Sequence, residues 1–207
     1  CNTYLKSYGV NVADSVMLIR GMTYDVNEII NEVGLPCFVK PNAEGSSFGV
    51  TKVKEAAQLE DALKKAFALC QEVLIETFID GTELTCGVVK AGDMDIAMPI
   101  AEVIPKNEFF DFEAKYDPTK SDEIIPARIS LELTNRIKTL SSMIYDILRC
   151  EGIIRVDYIV RDDEIFMLEV NTTPGMTSNS FVPKMVRAMG GTLREVLTKI
   201  IDNKLNR

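Results

Sequence analysis

Two periods of apolar and polar residues run along this chain, and the switches between them mark its elements. Cys1 to Gly9 reads as the last turns of a helix closed by glycine. No start signal precedes it, so a segment upstream is expected to be missing. Ser15-Val-Met-Leu-Ile19 is a short strand. Tyr24 to Val33 follows as a helix with Val26, Ile29, Ile30 and Val33 on one stripe, ended by Gly34-Leu-Pro36. Cys37 to Pro41 and Val50 to Val53 are predicted strands around a loop of hairpin size. A helix over Ala56 to Leu69 carries Leu59, Leu63 and Phe67 along one side, and Val73 to Ile79 is a strand that reaches Asp80-Gly81.

Leu84 to Val89 and Ile96 to Ile104 predict further strands in an antiparallel sheet. Residues 105 to 127 are polar and aperiodic, the mark of a functional lid or of disorder, and 106 to 121 are expected to lack order without a ligand. From Ser130 an amphipathic helix carries Leu133, Ile137, Leu140, Ile144 and Ile147. Two β-rich runs follow, Gly152 to Val160 and Ile165 to Asn171. Two helices close the chain, Phe181 to Met189 and one opened by the capping box Thr192-Leu-Arg-Glu195. Met17, Met94, Met98, Met143 and Met167 read as core filler, and Lys184 and Arg187 as an exposed helix face. The order βαββαβ and then a mostly antiparallel part predicts an α+β fold of two subdomains, residues 1-76 and 77-207.

Composition narrows the function classes. With 207 residues and a formal net charge of −8, the chain can bury a real core and is a poor match for nucleic acid. Five scattered cysteines, none spaced as CxxC, read as reduced thiols of a cytoplasmic protein. No apolar run reaches membrane-spanning length. There is no histidine, so acid–base and metal roles fall to carboxylates, Lys, Tyr or the substrate.

Chemistry gathers on the last two predicted strands. Along a strand Arg155 shares a face with Asp157, and Glu169 with Asn171. A three-residue turn, Asp162 to Glu164, would pair Asp157 with Glu169 and Arg155 with Asn171; a two-residue turn would put the pairs on opposite faces. The three-residue turn is expected, since Val156, Tyr158, Leu168 and Val170 then form one apolar face. Two carboxylates and an amide oxygen suit a hard cation such as Mg²⁺. A solvated surface hairpin is the plainer reading, but the hydroxyl-rich loop Thr172 to Ser180 begins where the strand ends, a usual place for ligand chemistry.

Other stretches are weaker alone. Lys40-Pro-Asn-Ala-Glu-Gly45-Ser46-Ser47-Phe-Gly49 has the glycine and hydroxyls to wrap a phosphate, yet composition equally allows an ordinary hairpin turn. Glu76 and Glu83 flank the Asp80-Gly81 turn and read first as solvated, as does Lys115-Tyr116 in the long polar loop.

Together these residues resemble the ATP-grasp superfamily and, within it, the D-alanine–D-alanine ligase family. The likeness runs through Lys40-Pro-x-x-Glu-Gly-Ser-Ser-x-Gly49, Glu76-x-x-Ile79-x-Gly81-x-Glu83, Phe112-Glu-Ala-Lys-Tyr116, Arg155-x-Asp157 and Glu169-x-Asn171-Thr-x-Pro-Gly-Met-Thr-Ser178-x-Ser180, and covers nearly all the chain. It implies an ATP-grasp fold whose two subdomains sandwich the nucleotide. It implies that Lys40, Lys115, Ser46 and Ser47 meet the ATP phosphates, while Glu76, Ile79 and Glu83 hold adenosine. Asp157, Glu169 and Asn171 would bind two Mg²⁺, with Mn²⁺ a possible substitute. Arg155 and the Gly175 N–H would stabilise an oxyanion, Ser180 would hold the carboxylate of the second D-alanine, and Tyr116 would latch to Ser46.

The implied reaction is attack of a D-alanine carboxylate on the γ-phosphoryl group, then of a second D-alanine's amine on the acyl phosphate, in the cytoplasmic synthesis of peptidoglycan precursors for the cell wall. The resemblance also implies a homodimeric parent and an N-terminal domain, absent here, that binds the first D-alanine. The chain is therefore expected to be a weak or inactive ligase alone. The alternatives are another ATP-grasp carboxylate–amine ligase and a non-catalytic Mg-nucleotide-binding module.

Overall fold

The structure, a computed structural model, describes residues 1–43, 48–105 and 121–206. Its contacts divide into two units. Ala13–Asp80 form the bulk of one; Cys1–Val12, Gly81–Ile104 and Glu123 onward form the other.

The chain opens with helix α1 (Asn2–Lys6). The first unit then runs β1 (Ser15–Ile19), α2 (Val26–Val33), β2 (Cys37–Pro41), β3 (Thr51–Val53), α3 (Leu59–Leu69) and β4 (Glu72–Thr77). Its antiparallel sheet has the order β1-β4-β2-β3. The Asp25 carboxylate accepts the Asn27 N–H at 2.7 Å and so starts α2 at Val26, two residues after the predicted Tyr24. The predicted Ala56 helix opens as one 3₁₀ turn, Ala56–Gln58, before α3. Ile29, Val33, Leu59 and Leu63 close over Leu18, Val39 and Ile75 on one face of the sheet. Burying a side chain of this size contributes roughly 1.5–3 kcal/mol, so this face sets the unit's stability.

The second unit is built on the long strand β5 (Thr82–Ala91), followed by β6 (Met94–Ala97), β7 (Ala101–Pro105), β8 (Ser121–Ile124), α4 (Leu131–Ile147), β9 (Gly152–Arg161), β10 (Glu164–Asn171), α5 (Phe181–Ala188) and α6 (Leu193–Leu205). The sheet order is β10-β9-β5-β7-β8, with β6 also on β5. The single strand predicted over Ile96 to Ile104 is thus two, broken at Met98-Pro99-Ile100. Pro99 has no N–H to give a ladder, and the Met98 N–H reaches the Gly87 carbonyl at 2.8 Å. Gly81 enters this sheet where a Cβ would lie 2.4 Å from the Val160 carbonyl oxygen, so no larger residue fits without moving backbone.

Alternation divides the sheet into two faces. Leu84, Cys86 and Val88 with Ile154, Val156 and Tyr158 pack under Ile137 and Ile144 of α4, and Leu5, Val10 and Val12 join them. The opposite face buries Val89, Ala91 and Ile153 beneath Val182, Met185 and Val186 of α5 and Val196 of α6. Further along that same face the positions become Glu83, Thr85, Arg155 and Asp157. Met94, Met98 and Met167 are buried, but Met17 and Met143 are not core filler. Met17 alternates with buried Leu18 and so faces away from the core, and Met143 lies off the α4 stripe. Among the described residues no helix is long and apolar enough to cross a membrane.

Candidate functional site

The β9–β10 hairpin reaches the expected pairing by an unexpected route. Arg161 pairs with Glu164, so the turn is the two residues Asp162 and Asp163, both left-handed with φ of 50° and 64°. The three-residue turn is therefore wrong. One extra residue, Leu168, sits between the Met167↔Tyr158 and Glu169↔Asp157 pairs as a β-bulge and shifts the register by one. Beyond it Asp157 faces Glu169 and Arg155 faces Asn171. The apolar face consequently uses Met167 beside Tyr158, while Leu168 is only half-buried. Met167 is held from its other side by its N–H to the Asn11 carbonyl at 2.8 Å and by a parallel bridge to Val12.

On the polar face Arg155 grips Asp157 with two bonds, Nε to Oδ1 at 2.8 Å and a terminal nitrogen to Oδ2 at 2.7 Å, with each side chain 14% exposed. The Thr85 hydroxyl, directly opposite on β5, donates to the same Oδ1. Burial pulls the Arg155 pKa down, but the hydrogen bonds and charge of Asp157, with the charges of Glu169 and Glu83, outweigh it and hold it above its ordinary value. Arg155 therefore sits in a field of three carboxylates and stays cationic. Its guanidinium also lies 5.5 Å from the Phe181 ring centroid.

Downstream, the Asn171 side-chain oxygen accepts the Thr173 N–H at 3.1 Å and turns the chain out of the strand. Ser180 occupies the N-cap position of α5, yet its hydroxyl makes no capping bond and instead meets Thr177 Oγ1 at 2.8 Å. A Cβ on Gly175 would lie 2.8 Å from Ser180 Oγ, so the glycine allows the two to sit together. Arg187 donates to the Ser178 carbonyl at 2.7 Å, and Lys184 pairs with Glu123 at 2.6 Å. Arg187 lies on the exposed helix face expected, while Lys184 is partly buried.

In the first unit Lys40 forms an ion pair with Glu76 on one sheet face, beside Phe38 and Leu74. Glu76 is 5% exposed, which overturns its reading as a solvated glutamate, and its Oε1 has no hydrogen-bond partner among the described residues. A buried carboxylate oxygen left unmatched is costly, and such an atom waits for a donor. Ile79 is buried; Glu83, at the start of β5 in the other unit, is half-buried. Ser46, Ser47, Lys115 and Tyr116 lie outside the described residues.

The structure thus brings together Arg155, Asp157, Glu169 and Asn171, sets Gly175 against Ser180, and pairs Lys40 with Glu76. Among the described residues no three His, Cys, Asp or Glu side chains cluster. The donor set is instead two carboxylates and one amide, hard oxygens that fit Mg²⁺. Sequence reasoning missed Thr85, although its place two residues after Glu83 in a strand puts it on the same face.

Comparison with known proteins relates the chain as a whole to D-alanine–D-alanine ligases. The family described as D-ala D-ala ligase C-terminus matches residues 4–202. The D-alanine–D-alanine ligases of Bacteroides thetaiotaomicron and Bacteroides fragilis are 56% and 54% identical to the chain, each over 205 residues. Those residues are 99% of this chain and 63% of either relative, so the chain spans less than two-thirds of their length. The D-alanine–D-alanine ligase of Bacillus anthracis superposes with a TM-score of 0.83 at 32% identity, covering 99% of this chain and 65% of that one; the same enzyme complexed with ATP gives 0.82, with the same identity and coverage. A D-Ala:D-Ser ligase from Enterococcus faecalis gives 0.81 at 36% identity, covering 97% and 59%. With the family pattern running through nearly every element described above, the chain belongs to the D-alanine–D-alanine ligase family.

Proposed function

We propose that this chain carries the nucleotide-, metal- and acceptor-binding part of an ATP-dependent D-alanine–D-alanine ligase that makes a peptidoglycan precursor. One observation carries the reading: Arg155, Asp157, Glu169 and Asn171 share a face of one hairpin, the face that α5 and α6 cover further along the sheet. Relatives bearing that activity, and a solved relative complexed with ATP, support it.

In this reading Asp157, Glu169 and Asn171 hold Mg²⁺, two ions by the family resemblance. Bound there, the ions would neutralise the phosphate charge that opposes transfer of the γ-phosphoryl group. Lys40 adds a local positive charge for the phosphates. Glu76, whose Oε1 has no partner among the described residues, offers an acceptor to an amino group of the base, and the family resemblance adds Ile79 and Glu83 as adenosine contacts. The family resemblance assigns Ser46, Ser47 and Lys115 to the phosphates and Tyr116 to a latch with Ser46. Arg155, kept cationic by its carboxylate neighbours, and the Gly175 N–H stabilise the oxyanion that forms as the acceptor amine attacks the acyl phosphate. Ser180 is free of a capping role and can donate its hydroxyl to the acceptor's carboxylate. No step calls for histidine or a protein nucleophile. Because the chain spans 63% of the length of these relatives, we assign Mg-ATP binding to these residues and ligation to the whole protein. A soluble cytoplasmic homodimer is the working form we assign to the parent.

The likeness to a D-Ala:D-Ser ligase supports a second reading in which the acceptor is another small amino acid, separable by acceptor profiling. The metal assignment is tested by calorimetry with Mg-ATP on this chain and on Glu169→Gln. Wild type is expected to bind at least about tenfold more tightly, a difference of roughly 1.4 kcal/mol. Equal affinities would remove it.

A further inference from the structure

We propose that Thr85 is a positioning residue for Asp157, holding its carboxylate in the orientation that receives a divalent cation. The inference rests on reading Asp157 as a cation ligand and goes beyond it, since Thr85 itself touches no ligand.

Thr85 is 2% exposed and stands directly across from Asp157 in the β5–β9 register. Few polar side chains are buried to this degree among the described residues, and each of the others has at least one partner. Glu102 is gripped by Arg128, Ser141 bonds Tyr158 and the Ile137 carbonyl, and Glu76 pairs with Lys40. The Thr85 hydroxyl goes to Asp157 Oδ1. A buried hydroxyl carries a desolvation cost that valine, of the same shape and well suited to a strand, would avoid. Packing alone therefore does not account for a threonine here.

Arg155 also holds Asp157, but the two donors act differently. Arg155 is long, and its guanidinium and the carboxylate can swing as one plane. Its positive charge also competes with a cation for the same oxygens. Thr85 is β-branched, stiff at χ1 and anchored on a separate strand. As a neutral donor it fixes the Asp157 torsion without cancelling the charge that a metal needs. Groups of this kind, bonded to a ligand and not to the metal, set ligand orientation and commonly change metal affinity by 10–100-fold.

The test uses the full-length protein and Mn²⁺ as the probe, with bound ion counted from the loss of the free-ion EPR signal. Thr85→Val is expected to weaken Mn²⁺ binding by about 10–100-fold, with an unchanged circular dichroism spectrum. Thr85→Ser, which keeps the hydroxyl, is expected to stay near wild type; Thr85→Ala replaces the valine variant should that one not fold. Glu169→Gln runs alongside as the reference for a direct ligand. Wild-type affinity in Thr85→Val with loss in Glu169→Gln overturns the role of Thr85 and leaves the metal site standing. Serine as weak as valine overturns it too. Wild-type affinity in Glu169→Gln as well overturns the metal reading, and this inference with it.

Discussion

Glu169 stands opposite Asp157 because Leu168, the residue before it, has no partner across the hairpin. Continued from the two-residue turn without a bulge, the register would set Leu168 against Asp157 and turn Glu169 toward the core beside Val156. Burying that carboxylate unpaired would cost several kcal/mol, whereas a bulge sacrifices one ladder position. The same shift lets Ile165, Met167 and Val170 all contribute to the apolar side.

The turn that begins this register places two L-residues in the left-handed region. Replacing Asp163 by glycine removes that strain but adds freedom to the unfolded chain, for a net stabilisation of roughly 0.5–1 kcal/mol. Asp163→Val is expected to destabilise by more than about 1 kcal/mol. The bond from Arg136 to the Asp163 carbonyl is to backbone and survives both changes. Urea unfolding of the three proteins gives the order, and a glycine variant less stable than wild type would contradict the turn.

Gly175→Ala places a methyl group against Ser180 Oγ, which must then leave its position beside Thr177. Thermal unfolding should barely move, because the loop is exposed. On the proposed reading, kcat/KM for the acceptor amino acid is expected to fall by about 100-fold in a ligase carrying these residues, as for a ~1 Å misplacement at the reacting centre, with ATP affinity kept. A matching loss of ATP binding would show that the loop does not belong to the acceptor side.

Stability should depend on acidity through Glu102. Arg128 hydrogen-bonds its carboxylate at 2.7 and 3.0 Å and holds its pKa below the ordinary value, against burial, which acts to raise it. A lowered native pKa means that the unfolded chain takes up the proton first. The contribution is therefore complete above the unfolded pKa and is lost as pH falls through the native one. From about pH 5 down to about pH 3 the urea midpoint of wild type should fall more steeply than that of Glu102→Gln, which starts lower. Parallel curves would show that the pair contributes nothing.

Where local pattern and global packing agree, the elements were legible in the residues. The stripe Leu133, Ile137, Leu140, Ile144 and the capping box Thr192 to Glu195 both became helices where expected, since each depends on neighbours three and four positions away. The site was legible in type and not in detail. Glu76 reads as a surface glutamate because nothing within its strand says that Lys40 and Phe38 stand beside it on β2. Arg187 is on the exposed face expected, but its bond to the Ser178 carbonyl was not legible, because that partner is backbone and carries no side-chain signal.

By itself the sequence determined the alternation of elements, the acidic and amide donors suited to a hard cation, and the order of segments that the family shares, because periodicity and residue chemistry are local properties. Only the tertiary structure decided the turn of two residues, the bulge at Leu168 and the hydroxyl of Thr85 on Asp157. Those depend on which strand lies beside which and in what register, and register is settled by burying apolar faces across residues far apart in the chain.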